Sequence, residues 1–214
     1  MSGTIKGIRV LELTQIMAGP TCGLLLADLG AEVIKIEKIQ GGDDTRRFLP
    51  PDVNGESAAF MMMNRNKKGL ALDLKSKEGV EIFKKLVKHS DVVIENFRKG
   101  TLERLGIGYD VMSKINPKII LCEISGYGRT GPYSEKGGFD LIAQGMSGLM
   151  SITGESADKP PIKVGAPLTD ITARLLATSG ILAALIHRDK LAKVTLLIHH
   201  YMKRVLFIHI GNLL

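Results

Sequence analysis

The sequence predicts an α/β protein on a mostly parallel sheet with helices on both faces. Two observations predict it. Short runs rich in Val and Ile alternate with longer segments of helical period, the pattern of repeated βαβ units. The first such unit also carries its own punctuation, with Pro20 where a helix should open and Gly30 where it should close. Composition agrees: 214 residues, 44% hydrophobic and 24% charged, are enough for a sizeable core and exclude disordered, collagen-like and disulfide-scaffold proteins.

The elements follow in order. Ile8–Leu13 reads as a strand, the segment from Pro20 to Gly30 as a helix, and Glu32–Ile36 as a second strand. Leu70–Leu74 reads as a third strand. The helix after it is capped by Ser76 and places Val80, Phe83, Leu86 and Val87 on one face. Asp91–Ile94 is a fourth strand, short helical stretches cover 101–105 and 111–115, and Ile119–Ile124 is a fifth strand beyond Pro117. A glycine-rich loop (GYGRTGPYSEKGG) follows, then a helix from Asp140 to about Gly148. A last helix from about Ile171 to Arg188 has a broad apolar face made by Leu175, Leu176, Ile181, Leu182, Leu185 and Ile186.

Charge divides the chain. The net charge is +7, from 29 basic and 22 acidic residues, which suits a polyanionic partner. Residues 191–214 contribute Lys193, Lys203 and Arg204 with no acidic residue, and hold His199, His200 and His209, three of the five histidines. The expected organisation is therefore one domain over 1–190 and a divergent tail over 191–214. No metal site is expected, because the tail histidines lack a visible further ligand and Cys22 and Cys122 form no CxxC. The N-terminus shows no basic region followed by an apolar run, and no stretch reaches roughly 18 uninterrupted apolar residues, so a cytoplasmic protein without a membrane span is expected. A nucleic-acid role has only the net charge in its favour.

In an open parallel sheet, ligands bind beyond the carboxyl ends of the strands. Those ends carry the segment Thr14–Pro20, then Glu37-Lys38, Lys75, Glu95-Asn96-Phe97-Arg98 and Ser125-Gly126. Arg46, Arg47, Arg65, Lys67, Lys68 and Arg104 lie nearby in sequence and would complement phosphates. Two motif matches fail on context. Gly126–Gly131 fits GxGxxG but runs into Pro132 instead of opening a helix, and His187-Arg188-Asp189 imitates a kinase loop inside a helix. Asp170 stands at the start of the last helix, where an aspartate is either an N-cap or a nucleophile. The two roles coexist if the backbone donors that lower its pKa keep it ionised. Asp140 has the same ambiguity.

Several motifs occur together and in order: Ala18-Gly19-Pro20, the run Asp28–Glu37, Asn64–Lys68, Glu95-Asn96-Phe97 and Ser125–Gly128. Over about residues 5–190 the chain resembles the family III CoA-transferases. The resemblance implies an incomplete version of that fold, a Rossmann-like CoA-binding domain without the second domain of longer relatives, whose chains interlock as a homodimer. It implies coenzyme A or acyl-CoA as substrate, with no permanently bound cofactor, and a carboxylic acid as the second substrate. By similarity, CoA contacts fall on Ile16, Ala18, Lys38, Leu72, Lys75, Asn96, Phe97, Arg104 and Lys136. The catalytic aspartate of the family aligns with Asp170, which would form a mixed anhydride and then an aspartyl-CoA thioester. Acyl-CoA racemases of the same superfamily use a histidine where this chain has Phe139, which carries no proton, so the transferase reading is preferred to a racemase. A CoA-binding fragment without turnover is the other alternative, since the similarity ends near Lys190 and the tail reads as a frameshifted, spliced or misassembled end. The identity of the acids is not legible.

Overall fold

The structure is a computed structural model and describes residues 3–156 and 158–191. Its sheet has five parallel strands: β1 (Arg9–Glu12), β2 (Glu32–Glu37), β5 (Lys68–Ala71), β6 (Val92–Glu95) and β7 (Ile120–Glu123). Their spatial order is β5-β2-β1-β6-β7. The chain builds outward from β1 in one direction through β2 and β5, then returns to add β6 and β7 on the other side. Because parallel crossovers are right-handed, that reversal moves the connecting helices from one face to the other.

Two apolar layers result. On one face, Val10, Val33, Val92, Ile94, Ile120 and Cys122 pack against Cys22 and Leu26 of α1 (Ala18–Asp28) and Ala177, Ile181, Ala184 and Leu185 of α7 (Leu168–Leu191). On the other, Leu11, Leu13, Ile36, Val93 and Leu121 meet Phe83 and Val87 of α3 (Lys77–Val87), Leu102 of α4 (Thr101–Arg104) and Met112 of α5 (Tyr109–Ile115). Residues one apart along a strand point to opposite faces, and both faces are apolar because both are covered. Ser76 caps α3 as predicted, its hydroxyl accepting from the Gly79 N–H at 3.0 Å.

Four features depart from the sequence reading. The third strand of the sheet is Lys68–Ala71, earlier than predicted. Parallel register with β2 pairs Ile34 with Lys68 and Glu37 with Ala71, and Leu72 N–H then closes the ladder on the Glu37 carbonyl. Leu72 and Leu74 lie past the strand and join the apolar layer under α3. Residues 39–66 hold elements that were not predicted: a 3-10 turn at Asp44–Arg47, a hairpin of β3 (Asp52–Val53) and β4 (Glu56–Ser57), and α2 (Ala58–Asn64). The broad apolar face of the last helix is split, since Ile181 and Leu185 are buried while Leu175 and Ile186 are about half exposed. Among the described residues, α7 is long and apolar enough to cross a membrane, and one side of it packs on α1 and the sheet. Finally, the predicted basic group is largely committed within the chain: Arg46 to Glu37, Arg65 to Asp28, Lys67 to Glu12 and Lys68 to Glu32. Those cations neutralise local carboxylates instead of forming a free phosphate cradle. The tail beyond 191 lies outside the described residues, as do His199, His200 and His209.

A charged cluster is buried beneath α1. Lys35 Nζ donates to Glu12 Oε1 (3.0 Å) and the Thr14 carbonyl (2.9 Å), and pairs with Asp43 (2.8 Å). Lys67 Nζ pairs with Glu12 (2.8 Å) and donates to the Pro20 carbonyl and Asn64 Oδ1. All four ionic side chains are 2% exposed or less. Burial disfavours the Lys35 cation, but Glu12 and Asp43 outweigh it and raise its pKa. Burial wins at Lys67 and pushes it down to about 8, against the pull of Glu12. Gly23 of α1 exists for this cluster: a Cβ there would stand 1.8 Å from Glu12 Oε2. Replacing Glu12 with Ala leaves the buried Lys67 ammonium without a carboxylate and Lys35 with Asp43 alone, and we expect a loss of about 3–5 kcal/mol in urea unfolding at pH 7. A loss under about 1 kcal/mol would mean that water already reaches these lysines.

Candidate active site

The carboxyl ends of β1, β6 and β7 open into a cleft of about 350 Å³ at the point where the strand order reverses. Its first wall is the loop Gln15–Met17 and the start of α1. Ile16 has φ +68°, in the left-handed region that a branched residue enters only when its surroundings enforce it. Here they do. Asn96 Oδ1 accepts the Gln15 N–H (2.9 Å) while its Nδ2 donates to the Gln15 carbonyl (2.8 Å), and Asp43 Oδ1 accepts the Ile16 N–H (3.3 Å).

The second wall comes from Asn96–Lys99 after β6 and from the loop after β7. Gly126 and Gly138 meet backbone to backbone, since a Cβ on either would lie 2.5 Å from the other's Cα. Arg129 fastens this loop by pairing with Glu95 and Glu123 and donating to the Phe97 carbonyl (3.1 Å). Burial pushes Glu95 up to about 7, Arg129 pulling against it and Glu123 adding to it. Lys136 lies 4.1 Å over the Tyr133 ring, and Tyr133 packs edge-on against Tyr127. Lys99 pairs with Glu135 at 2.9 Å.

The floor is made by α6 (Asp140–Met146) and the first turn of α7. Asp170 is the third residue of α7, so it is not the N-cap that its sequence position suggested. Asp140 serves α7 instead, its Oδ1 accepting the Thr169 N–H (2.9 Å) and the Thr169 hydroxyl (2.7 Å). That capping from a neighbouring helix lets α7 begin three residues before the predicted start. The expectation that backbone donors lower the pKa of Asp170 is also reversed: burial, and then the Asp140 charge, push it up to about 6.

Of the residues singled out by resemblance, Ile16, Ala18, Asn96, Phe97, Lys136 and Asp170 line this one cleft. Lys38, Leu72, Lys75 and Arg104 do not. Lys38 is exposed and pairs with Asp44 at 2.6 Å, Leu72 is buried, Lys75 is exposed, and Arg104 donates to Thr101 Oγ1 at 2.9 Å. Lys99 and Arg129 line the cleft without having been predicted, and Arg129 sits inside the glycine-rich match that failed as a dinucleotide fingerprint.

A half-buried carboxylate lining a cationic cleft at the switch point of a parallel sheet stands where open α/β sheets bind their ligands. The family profile described as CoA-transferase family III matches residues 5–196. Succinyl-CoA:glutarate CoA-transferase of Mus musculus is 47% identical over 189 residues, 88% of this chain and 43% of the relative. Succinyl-CoA:mesaconate CoA-transferase of Haloarcula hispanica is 45% identical over 196 residues, 88% of this chain and 49% of the relative. The crystal structure of a CAIB/BAIF family protein from Brucella suis superposes with a TM-score of 0.87 at 42% identity, over 96% of this chain and 56% of that one. The chain belongs to CoA-transferase family III. It spans about half the length of the curated relatives it matches.

The ionisation of Asp170 has a consequence for stability. Its folded-state pKa, about 6, lies above the ordinary 3.8, so the folded protein binds the proton more tightly than the unfolded chain. Asp170 therefore favours folding at pH values below about 4, and that contribution is lost as pH rises through about 6. Asp170→Asn should melt higher than the parent at pH 7.5, relative to the difference between the two at pH 4, in thermal unfolding followed by circular dichroism. An unchanged or reversed difference would contradict the burial of this charge.

Proposed function

We propose that this chain carries the acyl-accepting site of a CoA-transferase that moves CoA from an acyl-CoA to a free carboxylic acid. The observation that carries the reading is Asp170, half-buried on the floor of a cleft whose walls hold Arg98, Lys99, Arg129 and Lys136. At neutral pH a carboxylate titrating near 6 is mostly ionised, yet more basic than an ordinary aspartate, which suits a nucleophile. An Asp170 oxygen attacks the thioester carbonyl carbon, and the C–S bond breaks to release CoA thiolate and leave a mixed anhydride. The thiolate then attacks the Asp170 carbonyl, expelling the first acid as its carboxylate and forming an aspartyl-CoA thioester. The acceptor carboxylate reverses these steps and leaves with CoA. No net proton or electron is consumed.

Ile16, Ala18, Asn96, Phe97 and Lys136 would hold the arm of CoA that reaches Asp170, and Lys38, Leu72, Lys75 and Arg104 its outer parts along the same sheet edge. Residues 1–190 would act as the CoA-binding domain. The relatives' names pair succinyl-CoA with glutarate or mesaconate, so dicarboxylic acids are the proposed substrate class. Arg98 and Lys136 support it: among the described residues neither pairs with a carboxylate, which leaves them for the distal carboxylate of a diacid or for phosphate. Half-exposed Leu141, Ile142, Leu175 and Ile186 on α6 and α7 support burial against further protein, as an interlocked dimer would provide. Phe139, 67% exposed, offers no second base for a racemase.

Incubation with succinyl-CoA followed by borohydride or hydroxylamine should mark Asp170, read as a mass change on the peptide that contains it. Asp170→Ala should abolish both the mark and any exchange of CoA into glutarate. CoA binding by calorimetry with no mark on Asp170 would favour the alternative of a binding fragment without turnover.

A further inference from the structure

Two side chains of α6, Asp140 and Gln144, take no part in the chemistry above, yet they are tied to the segment that carries Asp170. Gln144 is completely buried. Its Oε1 accepts the Val164 N–H at 2.8 Å, and its Nε2 donates to Asp140 Oδ2 at 2.7 Å and reaches the Ala166 carbonyl at 3.4 Å. The other Asp140 oxygen holds Thr169 by both its N–H and its hydroxyl. Two residues one helical turn apart thus fasten Val164, Ala166 and Thr169, and Asp170 is the next residue along the chain. Both Asp140 oxygens accept hydrogen bonds in this arrangement.

We propose that Asp140 and Gln144 are positioning residues for Asp170: they lock the first turn of α7 onto α6 and hold a negative charge against the Asp170 carboxylate. The proposal rests on the reading of Asp170 as the acyl acceptor for its purpose, though not for its measurement. The charges facing Asp170 come from three directions. Arg98 and Lys99 after β6, and Arg129 and Lys136 after β7, line the same cleft as cations, and Arg174 lies one turn along α7. The start of α1 brings no ionisable side chain to the cleft. Burial first and then the like charge of Asp140 keep Asp170 basic enough to attack a thioester.

The test is a carbon-13 NMR titration of the full chain labelled at the aspartate side-chain carboxyl, with the Asp170 resonance assigned by its loss in Asp170→Asn. In the parent it should titrate near 6. Two neutral replacements are used, Asp140→Asn and Asp140→Ser, because both keep an acceptor for Thr169. Either should lower the Asp170 midpoint by about one pH unit, leaving the part due to burial, whereas Asp140→Glu should hold it near the parent value. A folded neutral variant with an unmoved midpoint overturns the proposal, and so does the folding of Asp140→Glu when neither neutral variant folds, since the carboxylate would then serve the fold alone. The titration needs no turnover, so a chain that fails to trap an acyl group at Asp170 can still pass or fail it.

Discussion

The neutral set formed by Glu12, Lys35, Asp43 and Lys67 is the constraint on which the site depends. Two carboxylates and two ammonium groups share a dry space under α1, and three of them, Lys35, Lys67 and Asp43, carry contacts beyond their ionic partners. Lys35 reaches the Thr14 carbonyl at the end of β1, Lys67 the Pro20 carbonyl in the first turn of α1, and Asp43 the Ile16 N–H. The loop that forms one wall of the cleft is thus held from below by charges with no route to water. A buried pair is weak evidence of added stability, because desolvation offsets the attraction. Its clearer effect is on geometry: the left-handed backbone at Ile16 persists while Asn96 holds both Gln15 backbone groups and Asp43 accepts the Ile16 N–H.

Asp170 is kept in a different way. No cation pairs with it among the described residues, and its proton affinity is set by burial and by the Asp140 charge. Glu95 on the opposite wall is also raised by burial, but it is bound to Arg129 and to the Phe97 N–H at 2.7 Å. The two carboxylates therefore differ by their partners: Asp170 has no cationic partner among the described residues, and Glu95 is occupied in holding the loop.

Much of this was legible in the sequence. The alternation of β-branched runs with helical segments pointed to a parallel sheet covered on both faces, and of the strand-end residues Gln15–Ala18, Asn96–Arg98 and Ser125-Gly126 line the cleft while Lys38 and Lys75 do not. Other features were hidden for identifiable reasons. Leu70–Leu74 has the composition of a strand, but the ladder ends where Leu72 meets Glu37, a register no local pattern encodes. Arg46, Arg65, Lys67 and Lys68 read as a phosphate patch because their partners Glu37, Asp28, Glu12 and Glu32 are distant in sequence. Asp170 read as a cap because the true cap of α7 lies on α6, thirty positions earlier.

The packing of α1 on α7 also determines how the cleft can change its width. Cys22 and Leu26 interlock with Ala177 and Ile181, and the Thr178 hydroxyl rests on the Cys22 sulfur. The helix that begins at Ala18 and the helix that bears Asp170 are consequently packed as one body, and the spacing between the Ile16 loop and the Asp170 carboxylate is stiff. Any opening or closing motion has to be taken up on the far side, by the glycine-rich segment 126–138. That segment is fastened by Arg129 to Glu95, Glu123 and the Phe97 carbonyl and by Lys99 to Glu135, so a change of width there has to break both sets of contacts.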